Sequence, residues 1–132
     1  MKVLHILYQS LPNVSGSSIR SRDILNNQLK IGIKPIVITS PFQNPINKVD
    51  SVEEINGIKY YRTFSNNHEL VSEGKSSFFI QIKKFFRLIK FSLKVYEIAK
   101  KEEIDVIHAH AMFFCAISGK LTSFFFKKTI NI

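Results

Sequence analysis

Cysteine is almost missing from this chain: Cys115 stands alone. No intrachain disulfide framework can form, so the fold must hold by burial, as suits a reducing compartment. Tryptophan is absent, and glycine and proline number only five and four, which excludes collagen-like and low-complexity architectures. Acids are scarce, ten against nineteen lysines and arginines. No apolar run approaches the roughly 18 residues needed to cross a bilayer. The short apolar run Val3 to Tyr8 is broken by His5 and lacks a small-residue cleavage site, so it does not read as a signal peptide. These absences lead to the expectation of a cytoplasmic protein, in peripheral contact with the inner face of the plasma membrane.

What remains is an ordinary globular composition. With 132 residues, 45% hydrophobic and 22% charged, one domain can bury about two thirds of the surface its unfolded chain exposes. The net charge of +9 is concentrated. Between Lys75 and Lys101 eight basic residues face a single acid, Glu97, while the rest of the chain is nearly balanced. A basic segment of this kind predicts a surface patch, and without an aromatic platform or recognition motif it does not predict nucleic acid as a partner.

The apolar pattern predicts an α/β fold. Val3 to Tyr8 and Pro35 to Ser40 are continuous apolar runs of the kind found in parallel strands covered on both faces. Between them lie a loop, Gln9 to Gly16, and a helix, Ser17 to Ile31, with Ile24, Leu25 and Leu29 on one face and Gly32 as its stop. This is a βαβ unit. Pro41 to Val49 reads as a polar loop. Asn56-Gly57 between apolar flanks predicts a hairpin with a primed turn, its second arm at Ile58 to Arg62. Ser65 to Ser77 is irregular. From Phe78 to Lys101 the residues Ile82, Phe85, Phe86, Ile89, Leu93 and Tyr96 recur at helical spacing with cations between them. Asp105 to Ala109 is a further strand, Ala111 to Thr122 a helix, and Lys128 to Ile132 the start of a last strand. The apolar ending LTSFFFKKTINI suggests a truncated doubly wound sheet.

Three stretches can carry chemistry. Gly16 opens a helix whose first N–H groups favour an anion, and Ser17 and Ser18 can cap those groups or donate to a phosphate oxygen. Arg20 and Arg22 lie in the same turns, with Asp23 as a possible partner for Arg20. The loop fits neither the dinucleotide nor the P-loop glycine pattern. In Asp105-Val106-Ile107-His108-Ala109-His110 the two histidines share one side of a strand, and His110 sits at its carboxyl end, where open α/β sheets place ligands. Together with Cys115 they provide only three donors at a spacing matching no common zinc pattern, so no metal and no cofactor is expected. The third stretch is the basic amphipathic helix 78–101, in which Lys83, Lys84, Arg87, Lys90 and Lys94 are placed to face an anionic membrane surface. Paired catalytic carboxylates and a nucleophile elbow are both missing.

Four segments, MKVLHILYQSLPNVSGSSIRS, KIGIKPIVITSP, EEINGIKYYRT and EEIDVIHAHA, resemble in sequence and order the amino-terminal domain of family 4 glycosyltransferases. The resemblance spans essentially the whole chain. It implies a Rossmann-like open, mostly parallel sheet with helices on both faces, forming one half of a GT-B fold. It also implies a retaining enzyme that transfers a sugar from a nucleotide-sugar, its co-substrate, to a glycan or lipid-linked acceptor in polysaccharide biosynthesis. In such enzymes the loop after the first strand lies near the donor phosphates and the acceptor, which corresponds to Gly16, Ser17 and Ser18, and the end of the fourth strand lines the cleft, which corresponds to His110. The carboxy-terminal Rossmann domain that grips the nucleotide-sugar has no counterpart here. Residues 1–132 are therefore expected to be an incomplete acceptor-side domain, inactive by itself and needing its missing half. Two other readings stay open: a non-enzymatic membrane-surface module built on helix 78–101, and a free-standing flavodoxin-like nucleotide binder.

Overall fold

The computed structural model describes residues 1–42, 51–63, 78–110, 113–126 and 129–131. Most of the polar loop expected over 41–49, and the irregular stretch expected over 65–77, lie outside the described residues. The elements in chain order are β1 (Lys2–Leu7), α1 (Gly16–Lys30), β2 (Lys34–Thr39), β3 (Val52–Ile55), β4 (Ile58–Arg62), α2 (Phe78–Lys101), β5 (Val106–Ala109), α3 (Phe113–Phe126) and β6 (Thr129–Asn131). The strands form one sheet in the order β3-β4-β2-β1-β5-β6. All neighbours pair in parallel except β3 with β4. Setting that edge hairpin arm aside, the five parallel strands run 3-2-1-4-5 in chain order, the Rossmann-like arrangement. α3 extends to Phe126, four residues beyond the expected end.

β1 is the central strand, bonded to β2 on one side and β5 on the other, with Leu4 opposite both Ile36 and Ile107. Its alternation divides the core. Leu4 and Ile6 face a layer that includes Ile38, Phe91, Val95, Ile98 and Ile107; Leu7 and Val37 face α1 through Leu25 and Leu29. Each fully buried Leu or Ile contributes about 1.5 to 3 kcal/mol relative to exposure. The hairpin between β3 and β4 turns at Asn56 and Gly57, whose φ values of 53° and 77° are those of the primed turn that the Asn-Gly pair favours.

α2 departs from the expected pattern. Its buried stripe is Leu88, Phe91, Val95 and Ile98, whereas Phe85, Phe86 and Leu93 are 60%, 59% and 63% exposed. The helix is apolar over more of its circumference than one sheet can cover, so the more aromatic of its two apolar stripes lies outside.

Behind the loop that follows β1 lies a buried polar cluster. The Arg62 side chain is fully enclosed and donates to Glu53 Oε2 through Nε (3.0 Å) and Nη2 (2.8 Å). Nη1 donates to the Ser10 hydroxyl, which also meets Thr39 Oγ1 at 2.8 Å. One guanidinium thus joins β3, β4, β2 and the loop. Removing one partner of such a pair strands a charge or a polar group. Arg62→Leu should lower the unfolding free energy by about 3 kcal/mol, read from urea denaturation. A loss below about 1 kcal/mol would show that Glu53, which is partly exposed, relaxes into water.

Candidate functional site

The order of strands reverses at β1, and the carboxyl ends of β1 and β5 diverge there toward α1 on one side and α3 on the other. Open α/β sheets place ligands in the crevice outside such a switch point. Here the crevice is a cavity of about 830 Å³, bounded by Tyr8 and Gln9 from the loop after β1, by Gly16, Ser17, Arg20 and Ile24 from α1, and by His108 to His110 from β5. Gly16, Ser17, Arg20 and His110 therefore border one space. Ser18 does not line it.

The true N-cap of α1 is Ser15, in extended conformation. Its hydroxyl accepts from Ser18 N at 3.2 Å while Ser18 Oγ accepts from Ser15 N at 2.8 Å. This reciprocal capping box, with serine at its third helical position in place of the usual Glu or Gln, buries Ser18 and commits its hydroxyl to the backbone. The capping role expected of Ser17 and Ser18 thus falls to Ser15, with Ser18 as its reciprocal partner. The first turn of α1 holds no acid, so its positive end is not neutralised by a side chain of that turn. Asp23 pairs with Arg22 at 3.0 Å and not with Arg20, the partner considered from sequence. A Cβ built on Gly16 meets nothing within 4 Å, so the glycine relieves no internal clash.

The floor carries a histidine cluster in which His5 joins the two histidines of the Asp105–His110 segment. His5 on β1 is directly opposite His108 on β5, and His110 lies two residues further along, on the same side. His5 is completely buried. Its Nδ1 is 2.8 Å from His110 Nε2, and its Nε2 is 2.7 Å from Gln28 Oε1 on α1. His108 and His110 stack with ring centroids 4.3 Å apart. Burial first, and then the neighbouring His110, push the His5 pKa down to about 3; burial first, then His108 and Arg20, take His110 down to about 4. Burial also lowers His108. Cys115, considered with these histidines from sequence, is buried in the layer on the other face, where burial pushes its thiol up to about 12. It is a packing residue.

A second cavity, about 520 Å³, lies at the carboxyl ends of β2 and β4. Pro41, Arg62 and Thr63 form one wall, and Lys83, Arg87, Lys90 and Lys94 of α2 form the other together with Phe86 and Phe91. At 100° per residue these four cations make one stripe, flanked by the exposed Phe86 and Leu93. Lys84 is exposed too but does not line the cavity.

No protein-family model matches the chain, and no curated protein matches it in sequence. Among solved structures, MurG of Acinetobacter baumannii, a GT-B glycosyltransferase, is similar with a TM-score of 0.54 and 12% identity over 98% of this chain and 33% of that one. The chain spans about a third of the length of that protein.

Unfolded imidazoles titrate near 6.5, above the folded values of about 3 and about 4. The unfolded chain therefore binds more protons below that pH, and stability should fall as pH drops from about 6.5, levelling off only below the folded values. Urea midpoints at a series of pH values from 7.5 to 4.5 test this, with His110→Gln expected to flatten the fall; equal slopes in both proteins would exclude His110 as a source. The structural likeness shows that this chain has a Rossmann-like fold of the kind that forms half of a GT-B architecture.

Proposed function

We propose that this chain is the acceptor-side half of a glycosyltransferase, in which the cavity between the β1 loop, α1 and β5 takes the sugar acceptor and borders the phosphates of a nucleotide-sugar donor. The observation that carries the reading is the convergence of a helix N-terminus, Arg20 and His110 on one cavity at the switch point of the sheet. The likeness of fold to part of MurG supports it. Arg20 and the first turn of α1 answer negative charge, and Ser17 and His110 are placed to exchange hydrogen bonds with hydroxyl or phosphate oxygens. A transferase must align donor and acceptor between two walls. The opposite wall, with the donor-binding Rossmann domain, is proposed to lie on polypeptide outside these 132 residues or on a separate chain. The resemblance to family 4 further suggests transfer with retention to a glycan or lipid-linked acceptor.

Calorimetric titration of UDP- and GDP-sugars is the direct test. This chain alone should give little heat, and a mixture with the complementary Rossmann domain should bind and turn over. In that mixture His110→Ala and Arg20→Ala should each lower turnover at least tenfold, and Gly16→Leu should abolish it while leaving the fold intact. Unchanged turnover in all three would remove the cavity from the reaction.

A second reading is favoured by one feature of α2. Exposed Phe86 and Leu93 adjoin the cationic stripe of Lys83, Arg87, Lys90 and Lys94, as in a helix that lies along an anionic membrane surface. Among the described residues no helix is long and apolar enough to cross a membrane. Each cation near an anionic leaflet is worth about 1 kcal/mol. Flotation with vesicles of 30% anionic lipid should carry the chain upward, and replacing the four cations by glutamine should reduce the bound fraction at least tenfold. Equal flotation with neutral vesicles would refute it.

A further inference from the structure

Of the four histidines in the chain, three come together at one place. The backbone alone accounts for this: parallel pairing puts His5 opposite His108, and the two-residue period of β5 returns His110 to the same side of the sheet. One ring nitrogen from each lies within 4.8 Å of the other two. Side chains so placed on the central strands of a sheet sit on rigid backbone, and metal sites favour rigid positions of this kind.

We propose that His5, His108 and His110 form a three-imidazole site for a divalent transition-metal ion, Zn²⁺ in the first place, with its remaining coordination position open to the cavity at the β1/β5 switch point.

The donor set is that of an open zinc site: three neutral nitrogens and one vacant position. Zinc–nitrogen bonds of about 2.0 to 2.1 Å in a tetrahedron set the nitrogens about 3.4 Å apart. The His5 Nδ1 to His110 Nε2 pair, at 2.8 Å, has to open by about half an ångström, and the widest pair has to close by somewhat more than one. With His5 Nε2 donating to Gln28, the proton between His5 and His110 sits on His110 Nε2; metal binding there moves it to His110 Nδ1, so the ring stays neutral, this hydrogen bond is lost and two metal bonds replace it.

Two further features agree with this assignment. Gln28 Oε1, 2.7 Å from His5 Nε2, can accept the proton on the nitrogen that does not bind metal. Such an outer partner fixes the tautomer and aims the lone pair of a ligating histidine. His108 and His110 also line the cavity, so ion and exogenous ligand have a path in. Arg20 borders the same space and repels a bare dication, which makes an anion, such as a phosphate or carboxylate oxygen, the fitting occupant of the open position. The assignment stands whether or not the cavity serves sugar transfer, because metal binding is measured on this chain without donor or acceptor.

The test is titration of the chelator-treated chain with Co²⁺ and Zn²⁺. One Co²⁺ per chain should bind, with visible absorption bands of four- or five-coordinate geometry, and Zn²⁺ should displace it. His108→Ala and His110→Ala should each weaken binding at least 100-fold, and Gln28→Ala 10- to 100-fold. In ¹⁵N spectra of the wild-type imidazoles, Zn²⁺ should shift His5, His108 and His110 and leave His68 unmoved, a readout that does not depend on variants folding. Absence of saturable binding at 100 μM metal, equal binding by the alanine variants, or shifts confined to His68 would each overturn the proposal.

Discussion

The two parallel pairings of β1 are the constraint on which the rest depends. Every residue of this strand from Val3 to Leu7 is buried, and it bonds β2 along one edge and β5 along the other. A one-residue slip of either pairing would carry His5 into the α2 and α3 layer, and Leu4 and Ile6 under α1, because the side-chain period of a strand is two. Register here is therefore held by the apolar residues and inherited by the polar ones. His5 meets His108 because Leu4 meets Ile107 and Ile6 meets Ala109.

The same logic explains why a fully buried arginine is retained. Hydrophobic isosteres often replace buried ion pairs at no cost, so Arg62 earns its position through what it arranges. It joins the hairpin to Ser10 and Thr39, and so holds the loop after β1 against the ends of β2 and β4. Ser40 reinforces this by donating to the Tyr8 carbonyl oxygen at 3.0 Å. The loop leading to Gly16 is thereby fixed at its outer end, and Ser15 caps α1 at the inner one. The cavity wall is the consequence.

Much of this was legible in the sequence for a physical reason. Continuous apolar runs between Pro and Gly punctuation identify buried parallel strands, and Asn56-Gly57 marks its turn whatever the surroundings. Gly16, Ser17, Arg20 and His110 could be brought to one cavity from the rule that ligands gather at carboxyl ends of strands. His5 escaped because a single polar residue in an apolar run looks like an interruption, and its meaning appears only when the register puts it opposite His108. The exposed stripe of α2 escaped for a related reason: periodicity shows that a helix has an apolar face, but with apolar residues over most of its circumference it cannot show which arc meets the sheet. Leu88, Phe91, Val95 and Ile98 won that arc over Phe85, Ile89 and Leu93.

The distribution of charge then argues for a direction. At the amino ends of the strands cations meet partners: Lys59 pairs with Glu102 at 2.9 Å, Lys2 with Glu103 at 3.5 Å, and the Lys2 N–H donates to Asp105 at 2.8 Å. At the carboxyl ends neither cavity has a carboxylate among the described residues that line it, and both are bordered by cations. Lys94 does pair with Glu97, but that acid lies outside the cavity wall. Low-dielectric walls lined by one sign of charge concentrate the field in the space between them. A cationic occupant would be repelled by this arrangement. An anion gains from both cavities, from the positive end of α1, and from a metal ion on the histidines.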